Sequence, residues 1–89
     1  MTPDAPTTEA QIASEVTAFL QQSYPDGSVE ISEDLRLLEE GVIDSLSLLE
    51  LVGFIESQFG IFVDDHEVDL EHFGCVRSMA EFVAAKLNR

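Results

Sequence analysis

Basic side chains are scarce in this sequence. Arg36, Arg77, Lys86 and Arg89 stand against eighteen acidic residues, giving a formal net charge of −14 over 89 residues. From Leu37 through Val76 there is no Lys or Arg, while Glu39, Glu40, Asp44, Glu50, Glu56, Asp64, Asp65, Glu67, Asp69 and Glu71 all fall inside. Such a chain is repelled by nucleic acid and by anionic membrane surfaces, and basic protein surfaces attract it. Cysteine is rarer still. Cys75 stands alone, so no internal disulfide can form and a reducing compartment suits the chain. No activating base neighbours it in the sequence, which argues against a nucleophilic role. Long apolar runs are missing as well: Met1 to Thr8 has none, and no segment reaches the roughly eighteen residues of a membrane span. No membrane insertion and a cytoplasmic location are expected.

Catalytic and metal-binding patterns are lacking in the same way. The Gly-x-Ser-x-Gly signature fails around Ser45, where Ile43 and Ser47 occupy the glycine positions, and no Ser-His-Asp arrangement stands out. Asp64, Asp65, Glu67, Asp69 and Glu71 lack the EF-hand spacing and its central glycine. His66 and His72 have no third histidine to complete a ligand set. The expectation is a protein that is not an enzyme and holds no metal.

What is present suffices for one small domain. A hydrophobic content of 45% supports a globular core, so the acidity does not by itself imply disorder. At this length a chain buries only about 60–65% of its extended surface, which leaves no room for both a core and a deep cleft. Residues 1–7, with Pro3 and Pro6, read as a mobile tail, and residues 8–89 as the domain. Thr8-Glu9-Ala10-Gln11 fits a capping box, and Ile12, Val16, Phe19 and Leu20 follow at helical spacing. That helix should end near Ser23, before Tyr24-Pro25-Asp26-Gly27. Ser28 to Ile43 is a long connection with a possible capped turn at Ser32-Glu33-Asp34-Leu35, and its apolar residues let it lie on the helices. A second helix runs from Ser45 to about Phe59, closed by Gly60, with Leu48, Leu51, Val52, Ile55 and Phe59 on its buried stripe. Ile61-Phe62-Val63 closes the core as a loop, and Asp69 to Phe73 makes a short helical piece before Gly74. The last helix opens with a capping box at Ser78-Met79-Ala80-Glu81 and buries Phe82, Val83 and Leu87, with Lys86 and Arg89 opposing the negative end of its dipole. The fold class is all-α: a small four-helix bundle of three main helices and one short one, with a long loop between helices one and two.

The organising stretch is Gly41-Val42-Ile43-Asp44-Ser45-Leu46. Asp44 is a strong N-cap, and Ser45 falls on the first turn, where a phosphate ester would meet unpaired N–H groups and a favourable dipole. Leu46, Leu49, Glu50, Gly53 and Glu56 share the outer side of the second helix, an apolar patch with an acidic rim. Such a patch reads as a docking surface for a partner with an apolar groove and basic edges.

With this motif, these helices and this acidity, the sequence resembles the acyl carrier protein family over roughly Thr8 to Leu87. In that family the serine of an Asp-Ser-Leu motif carries a 4′-phosphopantetheine arm, added from coenzyme A by a phosphopantetheinyl transferase. The resemblance implies attachment at Ser45, flanked by Asp44 and Leu46, and partner docking through Leu46, Leu49, Glu50, Gly53 and Glu56. It implies a monomer that meets a loading enzyme, such as an acyl- or aminoacyl-adenylating ligase, and downstream acyl-processing enzymes. Two departures mark it off from the commonest members. Ser47, Ser57 and Gln58 stand where carriers of bacterial fatty acid synthesis often have acidic residues, and Val42 and Ile43 replace the glycine pair of peptide-synthetase carriers. The pattern is similar to discrete carriers of specialised pathways, with an acyl, hydroxyacyl, aminoacyl or glyceryl cargo. The alternative from another class is an unmodified acidic adaptor that binds a basic partner through the same helix.

Overall fold

The computed structural model describes residues 8–88; the expected tail at 1–7 and the dipole role given to Arg89 lie outside them. The described residues form helices α1 (Glu9–Gln21), α2 (Ser45–Phe59), α3 (Leu70–Phe73) and α4 (Val76–Leu87), with a 3-10 turn at Asp65–Glu67. The all-α, four-helix expectation holds, and α3 is the short member.

Local chemistry sets most of the boundaries. The Thr8 hydroxyl accepts from Gln11 N at 3.1 Å while Gln11 Oε1 accepts from Thr8 N at 3.0 Å, so both halves of the first capping box form. Two residues short of Ser23, α1 ends at Gln21. The φ of Gly60 is +67°, a left-handed conformation that glycine alone adopts without strain, and its N–H bonds to Glu56 O, closing α2 where the sequence placed its end.

The last helix begins earlier than expected. Cys75 is its N-cap, and Ser78 lies inside the first turn, where its Oγ donates to Cys75 O at 3.0 Å. The reason is burial: Val76 and Met79 are fully enclosed, and a start at Ser78 would leave Val76 off the helical face that fills the core. Leu87, expected on that face, is exposed.

The core gathers Ile12, Val16 and Leu20 of α1, Leu51 and Ile55 of α2, Phe73 of α3, and Val76, Met79 and Val83 of α4. α1 packs chiefly along α4 and also against α2, where Phe19 stacks on Phe54 with ring centroids 4.3 Å apart. The long connection lies down as expected, with Ile31, Leu37 and Ile43 buried. Leu37 N donates to Gly74 O at 2.9 Å, and Arg77 of α4 pairs with Asp34 at 2.7 Å and donates its backbone N–H to Glu33 O. The connection is thereby fastened to the α3–α4 corner before it reaches α2.

Candidate functional site

The site is the corner where this connection turns into α2. Leu37 is fully buried, and its carbonyl accepts from Val42 N at 2.8 Å and from Ile43 N at 3.2 Å, drawing the chain back on itself. Gly41 makes the reversal with a φ of +75°, a left-handed geometry that favours glycine. The Tyr24 hydroxyl, from the turn after α1, donates to Val42 O at 2.7 Å. Ile43 then buries its side chain, and the next residue starts the helix.

Asp44 has extended backbone angles, and its Oδ1 accepts from Ser47 N at 2.8 Å, as an N-cap should. That N–H, followed by the Ser47 side chain, holds the Asp44 carboxyl below the usual carboxylate range. Its carbonyl takes the Leu48 N–H. Ser45 is therefore the first residue of a capped fifteen-residue helix, and it is exposed. Its own N–H and that of Leu46 belong to the first turn, which has no intrahelical acceptors. A phosphodiester on Ser45 Oγ would meet that open backbone at the positive end of the helix, so the residues present fit a 4′-phosphopantetheine arm.

Beside Ser45, the outer side of α2 carries Leu46 and Leu49, 68% and 63% exposed and three residues apart, hence adjacent on the helix. Glu50 and Gly53 share their exposure. Glu56 differs from the other predicted docking residues. It is half-buried, and its Oε2 accepts from Val63 N at 2.8 Å, so one oxygen of the supposed rim is engaged in holding the next loop. Tyr24 and Leu37 went unremarked as site residues in the sequence. A lone tyrosine before Pro25 was a signal for Tyr24, whereas Leu37 looked like any other apolar residue of the loop.

Residues 11–83 match the family model described as a phosphopantetheine attachment site. The chain is similar to an acyl carrier protein of Thermotoga maritima, 31% identical over 77 residues, which are 86% of this chain and 93% of that protein. It is also similar to a D-alanyl carrier protein of Enterococcus faecalis, 37% identical over 54 residues, 61% of this chain and 69% of the relative. Among solved structures, a chain described under the crystal structure of an FAD-dependent dehydrogenase superposes with a TM-score of 0.67 at 30% identity. The match covers 76% of this chain and 97% of that one.

Proposed function

This chain belongs to the phosphopantetheine attachment family, with a covalent 4′-phosphopantetheine as its cofactor, and from that premise we propose that Ser45 is the attachment residue of a discrete carrier that performs no catalysis itself. When bound, the arm supplies a terminal thiol that holds acyl groups as thioesters. The chain's own residues do the rest. Asp44 caps α2 and Gly41, Leu37 and Tyr24 fix the corner, so the Ser45 hydroxyl stands outward on a rigid support where a transferase can reach it. Leu46 and Leu49 offer that transferase, a loading ligase and downstream acyl-processing enzymes an apolar contact beside the attachment point, with Glu50 setting the charge complement and Gly53 a gap for the partner's side chain. Tethering raises the local concentration of the activated acyl group at whichever enzyme is docked.

The observation that carries the reading is the exposed Ser45 hydroxyl at the start of a capped helix, next to two exposed leucines. A specialised pathway in the cytoplasm with its own adenylating ligase fits the departures at Val42, Ile43, Ser47, Ser57 and Gln58. An aminoacyl cargo draws support from the D-alanyl carriers among the relatives, one from Enterococcus faecalis and one from Bacillus velezensis at 34% identity. A flavin-dependent dehydrogenase is a further partner class. The superposed chain is almost wholly covered by a bundle of this size, which supports a small carrier chain accompanying the dehydrogenase in that structure.

The test replaces Ser45 by Ala and offers wild type and variant a labelled coenzyme A with a phosphopantetheinyl transferase. The carrier reading expects label on wild type alone, with both proteins equally helical by circular dichroism. No label on a folded wild type would favour the adaptor, and label on S45A would move the attachment to another residue.

A further inference from the structure

Arg77 occupies a place that its own helix does not favour. It is the second residue of α4, in the first turn, where the positive end of the helix dipole repels a cation. Lys86, in the last turn, has the opposite and favourable placement. With only four Lys and Arg residues in the chain, a cation set against the dipole calls for a reason outside the helix.

That reason lies in the connection between α1 and α2. Arg77 Nε and Nη2 donate to Asp34 Oδ1 and Oδ2 at 2.7 and 3.1 Å, a two-pronged pair, and Glu33 Oε1 stands 3.7 Å from Arg77 Nη1. The side chains of Arg77 and Asp34 are 53% and 72% exposed, and a pair so open to water adds little stability. What a fork does give is direction, because the flat guanidinium meets both oxygens of one carboxylate in a single geometry. Two main-chain bonds flank it. Arg77 N donates to Glu33 O and Leu37 N donates to Gly74 O, both at 2.9 Å, so residues 33–37 run antiparallel to residues 74–77. Gly74 is buried, and an added Cβ there would run into Leu70 O, so this side of the seam is closely fitted.

Leu37 ends the seam and begins the Ser45 corner. Its N–H goes to Gly74 O, and its carbonyl takes Val42 N and Ile43 N, the two residues before Asp44. The position of α4 is thereby passed to Ser45 through Asp34 and Leu37.

We propose that Arg77 is a positioning residue for the attachment reaction: its fork on Asp34 sets the register of the connection on α4, and so holds the Ser45 corner in the form that a phosphopantetheinyl transferase recognises. The inference rests on the carrier reading and deepens it, because it places a determinant of transfer outside the docking face. Loosening the fork lowers the fraction of molecules with the corner formed. A transferase that binds only the formed corner then shows a higher KM for the carrier at an unchanged kcat.

Full-length wild type, Arg77→Met, Arg77→Lys, Asp34→Asn and the exchanged pair Asp34→Arg with Arg77→Asp are compared as substrates of a broad-specificity phosphopantetheinyl transferase with coenzyme A. No transfer to folded wild type overturns the carrier reading and this inference with it. With transfer shown, Arg77→Met and Asp34→Asn are each expected to raise KM about threefold, as for a corner formed about a third of the time, with kcat and melting temperature kept. Arg77→Lys keeps the charge and loses the fork, so it raises KM as well. The exchanged pair, which also puts an anion at the favourable end of α4, brings KM back toward the wild-type value. Net charge moves in opposite directions in Arg77→Met and Asp34→Asn, so opposite changes in KM would reveal a surface-charge effect on the transferase and overturn the proposal. An unchanged KM in both variants also overturns it, as does an exchanged pair no better than Arg77→Met. Amide exchange supplies a readout apart from transfer: in Arg77→Met it quickens at Val42 and Ile43 and not at Val63, whereas uniform quickening would show a merely structural role and contradict positioning.

Discussion

The two ends of α2 are held by different means. At its start, the chain from Leu37 to Asp44 is fixed by main-chain hydrogen bonds, a left-handed glycine and one neutral hydroxyl from Tyr24. Beyond its end, charged side chains do the work. Glu56 binds Val63 N, Glu67 binds both Asp64 N and Lys86 Nζ, and Lys86 also reaches Phe62 O and lies 5.2 Å from the centre of the Phe82 ring. The contrast has a functional reading. A corner held mainly by backbone leaves the surface around Ser45 free to meet partners and an added phosphate, because the charged side chain engaged there, Asp44, does no more than cap α2. The distal end meets no such demand, and it uses Lys86 as a clamp.

Substitutions that weaken one end and leave the other intact test this contrast. The largest effect is expected from Leu37→Ala, since Leu37 is fully buried and its carbonyl organises the corner. Removing a side chain of that size from a core costs about 2–5 kcal/mol, which denaturant unfolding would read. A loss well under 1 kcal/mol would show that the loop does not depend on its anchor. Next come Gly41→Ala and Gly60→Ala. Both glycines have positive φ and neither has an atom within 4 Å of an added Cβ, so each substitution is expected to cost about 1–2 kcal/mol through backbone strain alone. Their stabilities should fall together, while the rate of phosphopantetheine transfer falls only for Gly41→Ala. Equal transfer rates would remove the distinction between the ends.

Tyr24→Phe deletes one half-buried hydrogen bond to Val42 O and is expected to cost about 0.5–1.5 kcal/mol. Amide exchange should quicken at Val42 and Ile43 and stay unchanged at Val63, and uniform quickening would contradict a local tie. The smallest effects concern charge. Asp44 is held below the ordinary carboxylate value chiefly by Ser47 N, and Glu67 chiefly by Lys86. For a group whose folded value is depressed, the stabilisation is complete above the unfolded value and is lost as pH falls through the folded one. These contributions therefore persist down to about the reference values of 3.8 and 4.5 and vanish in more acid solution. Acid titration of Glu67→Gln should lose part of that final fall. The surplus of carboxylates also predicts a higher melting temperature in about 300 mM salt than in about 10 mM, because a shorter Debye length weakens repulsion. An unchanged or lower temperature would reject it.

Where a short-range signal was not overridden by distant packing, the sequence was legible to within a residue or two. Thr8 with Gln11, Asp44 with Ser47 and Gly60 each act across three or four residues, and the limits of α2 agree with them. Misreadings arose where distant packing decides. Ser78 looked like a cap because Ser-x-x-Glu is a cap pattern, yet the burial of Val76 against the core starts α4 earlier. The 3-10 turn at Asp65–Glu67 is closed locally by Glu67 reaching Asp64 N, but Lys86 holds it from nineteen residues away, and no local spacing announces that second contact. Glu56 shows the same limit at the site, since its helical position matched the outer rim and only the returning loop at Val63 reveals its inward bond. Tyr24, eighteen residues before Val42, lay beyond any periodic pattern.

The most direct test of the central claim is intact-mass measurement, followed by fragmentation, of wild-type protein incubated with coenzyme A, magnesium and a broad-specificity phosphopantetheinyl transferase. The account predicts the gain of a single phosphopantetheine, carried by the fragment containing Ser45 and by Ser45 within it. A folded protein that gains nothing, or one that carries the group on another serine, would contradict it.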